Sequence, residues 1–295
     1  MSTPLIVVGS ASRDYTVVVD RHPAPGETLL GGDIVTGAGG KGANQAVAAA
    51  TAGVAPVFIG SFGDDSTGHE LIAELSSNGV DVSHVVVTAE APTGVALITV
   101  VTSGENSIVV AAGANAHLEP EASARIIRSL TARGTVVLAQ LETPLPTVTA
   151  VASATRNAGG RFVLNLSPSR EVPAELLALC DPLVVNESEA AAVSGQPVAS
   201  VADATAAAAA LLEMCVSVVV TLGGEGVVVA TADGITHTPA HKVAVVDTTG
   251  AGDAFVGALV ANLARGSDLA TAVEAGTAAG ARAVQYLGAQ PPRPH

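Results

Sequence analysis

VDTTGAGDAFVGALVANLARG, residues 246–266, is the stretch on which the reading of the whole chain turns. The β-branched Val243, Val245 and Val246 lead through Thr248 and Thr249 into glycine, alanine, glycine. Phe255, Leu259 and Leu263 then recur at i, i+4 and i+8, and Gly266 follows Arg265. That spacing predicts a helix that opens on the glycine turn and is closed by Gly266. Such a turn offers an anion free amides and the positive end of the helix dipole. Asp253 nevertheless sets a carboxylate there, and the rest of the chain has to explain why.

Composition narrows the answer. At 295 residues the chain has room for one large α/β domain or two small ones. Hydrophobic residues make up 48% and aromatics only 2%, with no tryptophan, so the core must be built from Ala, Val and Leu. An aromatic stacking platform for single-stranded nucleic acid is excluded. A formal net charge of −14 opposes phosphate backbones and anionic lipid, so neither nucleic acid nor a membrane surface is expected as a partner. Cys180 and Cys215 show no metal spacing and read as structural thiols in a reducing, cytoplasmic setting. The opening MSTPLIVVGS lacks a basic n-region, and no uncharged apolar run reaches the roughly 20 residues of a membrane span.

The C-terminal two-thirds alternates. Strand-like runs at 136–141, 162–166, 183–185, 216–222 and 227–230 are separated mostly by helical patterns at 121–133, 145–157, 187–193 and 201–213. This predicts a doubly wound α/β domain with a mostly parallel sheet and helices on both faces. In the N-terminal third, 5–8 reads as a buried strand, and 41–52 and 68–78 as helices closed by Gly53 and Gly79. Strand pieces at 15–19, 27–35, 94–101 and 107–111 carry no helix between them. They are expected to form a small antiparallel β-sheet lid, with strands within about 15–36 and 93–112, on a single domain spanning 1–295.

Several loops carry chemistry. GAGGKGANQA (37–46) contains GxGxxG at Gly37, Gly39 and Gly42, but it does not follow the first strand as a dinucleotide fingerprint would. Lys41 is followed by Gly42, not Ser or Thr, so it is no Walker A loop either. Lys41, Asn44 and Gln45 gather donors and acceptors at a helix start, which suits a polyhydroxylated ligand. TLGGEG (221–226) reads either as a hairpin turn or as a loop that a flat or phosphorylated ligand approaches closely. In NESE (186–189), Asn186 and Glu189 are spaced as a capping box, or as a site for hydrated Mg²⁺. Asp14 and Glu142 stand at strand ends, where ligands of open α/β sheets gather. If the amides around Gly250, Ala251 and Gly252 hold a transferring phosphoryl group, Asp253 is placed to take the proton of the attacking hydroxyl.

GAGGKGANQAVAAA (37–50), QLETPL (140–145), NESE, TLGGEG and DTTGAGDAF (247–255) occur in this order, and with these spacings the chain resembles the ribokinase branch of the PfkB sugar kinases. The resemblance runs from the first strand to GAQP (288–291). It implies a cytoplasmic, Mg²⁺-dependent transfer from ATP to O5 of a pentose, ribose first, by a homodimer joined through the lid. Asp253 then corresponds to the base and Gly250, Ala251 and Gly252 to the anion hole. Ser12, Asp14, Gly40, Lys41, Gly42, Asn44 and Glu142 fall at sugar positions. Asn186, Thr221, Gly223, Gly226, Gly252 and Thr277 fall at nucleotide positions, and Glu189 at the residue acting on Mg²⁺ through water. Asp247, Thr249, Ala283, Tyr286 and Gly288 fall where the family binds an activating K⁺.

Two departures stand out. Ser12 replaces the asparagine usual two residues before the lid aspartate, which raises 2-deoxyribose or another furanose as the substrate. Pro292 stands where relatives often offer a hydroxyl to the cation, so one coordination position falls to water. Other readings are a nucleoside kinase, which the scarcity of aromatics weakens, a ketohexose kinase, a silent sugar sensor, and a dehydrogenase.

Overall fold

LIVV (5–8), VVLA (136–139) and VVVT (218–221) have the near-continuous apolar pattern of strands covered on both faces. The computed structural model, which describes residues 4–103, 105–286 and 288, bears this out. The chain begins β1 (Leu5–Val8), β2 (Ser12–Val19), β3 (Val35–Gly39), α1 (Lys41–Thr51), β4 (Val57–Ile59), β5 (Ser61–Gly63) and α2 (Ser66–Ser77). It continues β6 (Val86–Thr88), β7 (Gly94–Val101), β8 (Asn106–Ala111), α3 (Pro120–Leu130), β9 (Val136–Ala139), α4 (Leu145–Asn157) and β10 (Arg161–Asn165). Then come α5 (Ala174–Leu177), β11 (Cys180–Asn186), α6 (Glu187–Ser194), α7 (Val201–Leu212) and β12 (Val218–Thr221). The hairpin strands β13 (Val227–Thr231) and β14 (Gly234–Thr238) and the helices α8 (Ala251–Ala264) and α9 (Leu269–Ala283) follow.

The main sheet has eight strands in the order β14-β13-β12-β11-β10-β9-β1-β4. It is parallel from β4 to β12 and antiparallel only along β12-β13-β14. Alternate residues of one strand serve opposite faces, as the pleat requires. Leu5 and Val7 pack with α1, α2, α8 and α9, whereas Ile6 and Val8 pack with α3, α4 and α7. All four phenylalanines of the chain are buried. Cys180 is buried as expected, but Cys215 is only half-buried. Among the described residues, no helix is long and apolar enough to cross a membrane.

A second sheet, β3-β2-β7-β8, stands apart from the first. The expected antiparallel pairing holds for β2–β3 and β7–β8, whereas the central pair β2–β7 is parallel. The piece expected at 27–35 is not a strand: pairing begins only at Val35 and runs to Gly39. Gly31 and Gly32 have no side chains to pack, and a lone bond from the Gly32 amide to the Val18 carbonyl holds this segment against β2. The first lid strand starts at Ser12, three residues before the sequence pattern suggests. Helix α9 and strand β14 carry too weak a pattern, small residues and alternating polar groups, to be read in advance.

Candidate active site

The loops after β1 and β9 lie side by side, because β1 and β9 are neighbours while the chain's first crossover runs to β4 on the other side of β1. Ligands of open α/β sheets collect at such a reversal, at the carboxyl ends of the strands. Gly40, which precedes α1, has φ 87°, and a Cβ there would lie 2.6 Å from the Ala11 Cα. Only glycine lets the helix start against the β1 loop. No side chain of its own caps α1. Instead Glu142 accepts the Lys41 amide at 2.9 Å and the Ser10 hydroxyl, so a carboxylate from beyond β9 meets the positive end of α1. Ser10 also receives the Gly42 amide at 3.4 Å. Gly42 thus lies against Gly9 and not on the cavity wall.

Ser12, Asp14, Gly40, Lys41, Asn44 and Glu142 line one cavity, and Asp253 forms part of its floor. Ile98, Ile108 and Val110 of the small sheet supply an apolar wall, which makes that sheet the roof. The Ser12 hydroxyl donates to Asp14 Oδ1 at 3.0 Å. Burial raises the Asp14 carboxyl above its ordinary pKa, and the Ser12 hydroxyl offsets this only in part. The charges of Glu142 and Asp253 push it further up, against the pull of Arg13.

Helix α8 starts from Gly250, whose φ of 74° is left-handed. The Ala251 amide is drawn back to the Thr248 carbonyl at 3.2 Å. The amides of Gly252 and Asp253 lie in the first helical turn, which offers no intrahelical acceptor, so they are free to meet an anion there. Asp253 Oδ2 accepts from Asn44 Nδ2 at 3.1 Å and Oδ1 from Gln45 Nε2 at 2.8 Å. Burial raises its pKa, Lys41 and these two amides oppose the rise, and Glu142 adds to it.

A middle cavity is lined by Asn186, Glu189 and Thr221 at the ends of β11 and β12, and it shares Lys41, Gly250 and Asp253 with the first. The capping box is formed: Asn186 Oδ1 accepts the Glu189 amide, and Glu189 Oε2 accepts the Asn186 amide, both at 2.9 Å. A third cavity, of about 420 Å³, shares Thr221 and Gly252 with the middle one and includes Gly223, Gly226 and Thr277. That is a volume suited to a small-molecule ligand. TLGGEG is a hairpin turn, closed by the Leu222 amide on the Gly226 carbonyl, and a cavity wall as well. The hairpin reading of the loop therefore holds, and the same loop lines the cavity.

Asp247 accepts from the Gly288 amide, the Thr249 hydroxyl and the Thr249 amide at 2.7–2.9 Å. Burial would raise its pKa, but those hydrogen bonds outweigh it and hold the carboxyl below the ordinary range. Ala283 and Tyr286 flank Val284, whose carbonyl takes the Val246 and Asp247 amides. Pro292 lies outside the described residues. Among the described residues, no group of three or more His, Cys, Asp or Glu is arranged to hold a metal.

Four polar residues to which the sequence motifs assign no role also belong to the site. Ser10 bridges the Glu142 carboxylate to α1. Asn115 grips the Ala11 peptide from both sides, accepting its N–H at 3.0 Å and donating to its carbonyl at 2.8 Å. Gln140 and Asn165, at strand ends, reach Asp253 through Gln45. The signal for the last two was present, as polar amides closing otherwise apolar strands.

The family model described as pfkB family carbohydrate kinase matches residues 2–295. The chain is 38% identical over 291 residues to a ribokinase of Haemophilus influenzae, covering 98% of this chain and 95% of that one. A deoxyribokinase of Salmonella typhi is 34% identical over 288 residues, with 97% and 94% covered. Among solved structures, the Arabidopsis thaliana ribokinase complexed with ribose and ATP superposes with a TM-score of 0.90 at 32% identity, covering 99% of this chain and 97% of that one.

Proposed function

The chain belongs to the pfkB family of carbohydrate kinases, and from that premise we propose that it moves the γ-phosphoryl group of ATP to O5 of D-ribose. The observation that carries this is the place of Asp253, on the shared wall between the sugar-side cavity and the smaller middle one. In this reading Asp14, Glu142, Lys41 and Asn44 hold the sugar hydroxyls. As the O5–phosphorus bond forms and the bond to the β-phosphate oxygen breaks, Asp253 takes the O5 proton and ADP leaves. The Gly252 and Asp253 amides receive the charge on the moving group. General-base help is worth about 10²–10⁴-fold and each amide donor about 10²–10³-fold. The remaining task is positioning.

The third cavity takes the nucleotide, with Gly223, Gly226 and Thr277 at its walls. Mg²⁺ fits the middle cavity, since it keeps most of its waters and needs only one or two carboxylates beside phosphate oxygens. Buried Glu189 is such a carboxylate. The ion supplies neutralisation of phosphate charge. K⁺ would be held at Asp247 and Thr249 with the Ala283, Tyr286 and Gly288 segment, which the Asp247 bond to Gly288 draws together. The small sheet is the lid of one domain. Its exposed Val18, Leu97 and Val109 support a homodimer joined through it. A reducing cytoplasm suits the two free thiols.

A second reading, 2-deoxyribose as substrate, rests on Ser12, whose hydroxyl proton is given to Asp14 and so is not offered to a sugar hydroxyl. ADP release with Mg-ATP and K⁺ across ribose, 2-deoxyribose, fructose, ribulose and nucleosides tests both. Highest kcat/KM on ribose is expected. Preference for 2-deoxyribose transfers the assignment to the second reading, and no turnover with any sugar rejects the kinase assignment.

A further inference from the structure

We propose that Gln45, set in one sense by Gln140 and Asn165, is a positioning residue that holds Asp253 from beneath the cavity floor. This rests on the reading of Asp253 as the base.

The chain of amides starts from a group that cannot turn. Asn165, at the end of β10, donates from Nδ2 to the Val184 carbonyl at 3.3 Å. A carbonyl only accepts, so Asn165 Oδ1 must point the other way, where it meets Gln45 Nε2 at 2.9 Å. Gln45 is thereby obliged to present its NH₂ on that side. The second proton of the same nitrogen goes to Asp253 Oδ1 at 2.8 Å. Gln45 Oε1 is turned away and receives Gln140 Nε2 at 2.7 Å. Gln140 Oε1 is left buried with no hydrogen-bond partner among the described residues. Turning that amide over would set oxygen against oxygen at Gln45, so the orphaned oxygen is the smaller penalty. Gln45 is wholly buried and Gln140 is 1% exposed, and neither lines the cavities described above, so neither touches a substrate.

The effect falls on Asp253. Burial works against its ionised form, as does the charge of Glu142 from beyond β9, and the charge of Asp253 in turn raises the Asp14 carboxyl of β2. Lys41, from the start of α1, works for it. Asn44 and Gln45 each satisfy one carboxylate oxygen, and only Asn44 faces the sugar. Gln45 thus gives the carboxylate a donor that does not change when sugar arrives or leaves.

The test is the pH profile of kcat at saturating sugar and ATP. Losing a donor raises the pKa of a carboxylate, so the acidic limb must move to higher pH. For Gln45→Met a rise of about one to two pH units is expected, with the sugar KM little changed. Gln45→Glu, which brings a second carboxyl against Asp253, should move the limb further. Gln140→Leu, which only frees the Gln45 oxygen, should give a smaller shift in the same direction. A uniform loss of kcat with an unmoved limb in Gln45→Met and Gln140→Leu overturns the proposal. Should Gln45→Met fail to fold, Gln140→Leu decides alone. Asp253→Asn separates the layers. Near wild-type kcat in that variant removes the base and the network together, whereas lost turnover with unmoved limbs elsewhere removes only the network.

Discussion

The two sheets are made of the same residues and are buried in opposite ways. Val136 in β9 is 1% exposed, whereas Val109 in β8 is 66% exposed. Both are valines in valine-rich strands, so propensity for strand does not distinguish them. What differs is the connection. Strands of the main sheet are joined mostly by helices, which fold back over both faces. The strands β2, β3, β7 and β8 have no helix covering both of their faces, and much of their apolar surface stays outside. The body is therefore held by burial. The small sheet is held at its root by polar contacts: Asn115 on the Ala11 peptide, and buried Arg13 on Glu74 and Glu70 of α2 at 2.8 and 3.3 Å. Because side chains alternate along β2, the pin at Arg13 lies between Ser12 and Asp14, which face the first cavity.

That contrast can be broken, and the largest effect is expected in the body. Phe162→Ala, in a fully buried strand position, should cost about 3–5 kcal/mol in urea unfolding. A loss below 1 kcal/mol would mean that the body is not held by burial at this position. Next comes the pin. Arg13→Met leaves Glu70 and Glu74 half-exposed to water, so stability should change little, while the sugar KM rises about tenfold through misplaced Ser12 and Asp14. An unchanged KM with a lower Tm would make Arg13 a plain structural ion pair. Ser12→Asn is smaller: about a fivefold shift of the kcat/KM ratio toward ribose over 2-deoxyribose, the worth of roughly one hydrogen bond. If the ratio stays put, the selector lies elsewhere. Smallest in stability is Val109→Asp, expected to alter unfolding of the dilute chain by less than about 0.5 kcal/mol. The same change should weaken self-association in light scattering. Intact dimers would place the subunit contact away from this face.

The motifs were legible because their chemistry is local. GAGD places amides and a carboxylate in one helical turn, and Asn186 and Glu189 form their cap within four residues. GGKGANQA announced polar groups at a helix start but did not show which touch ligand. Gly42 turns to backbone, Asn44 to the cavity, and Gln45 into the core, since successive helical residues are about 100° apart. The segment 27–35 misled because β-like residues were read without weighing the two glycines among them.

By itself the sequence determined the alternation of strand and helix, the parallel body and the reaction class, because each is written in periodicity or within one turn of chain. Only the tertiary structure decided which carboxylates share a cavity. It also decided that Glu142 caps a helix 101 residues away and that the buried amides of Gln140 and Asn165 reach Asp253 through Gln45. Those pairings are made by the sheet order, which sets strand ends distant in the chain side by side.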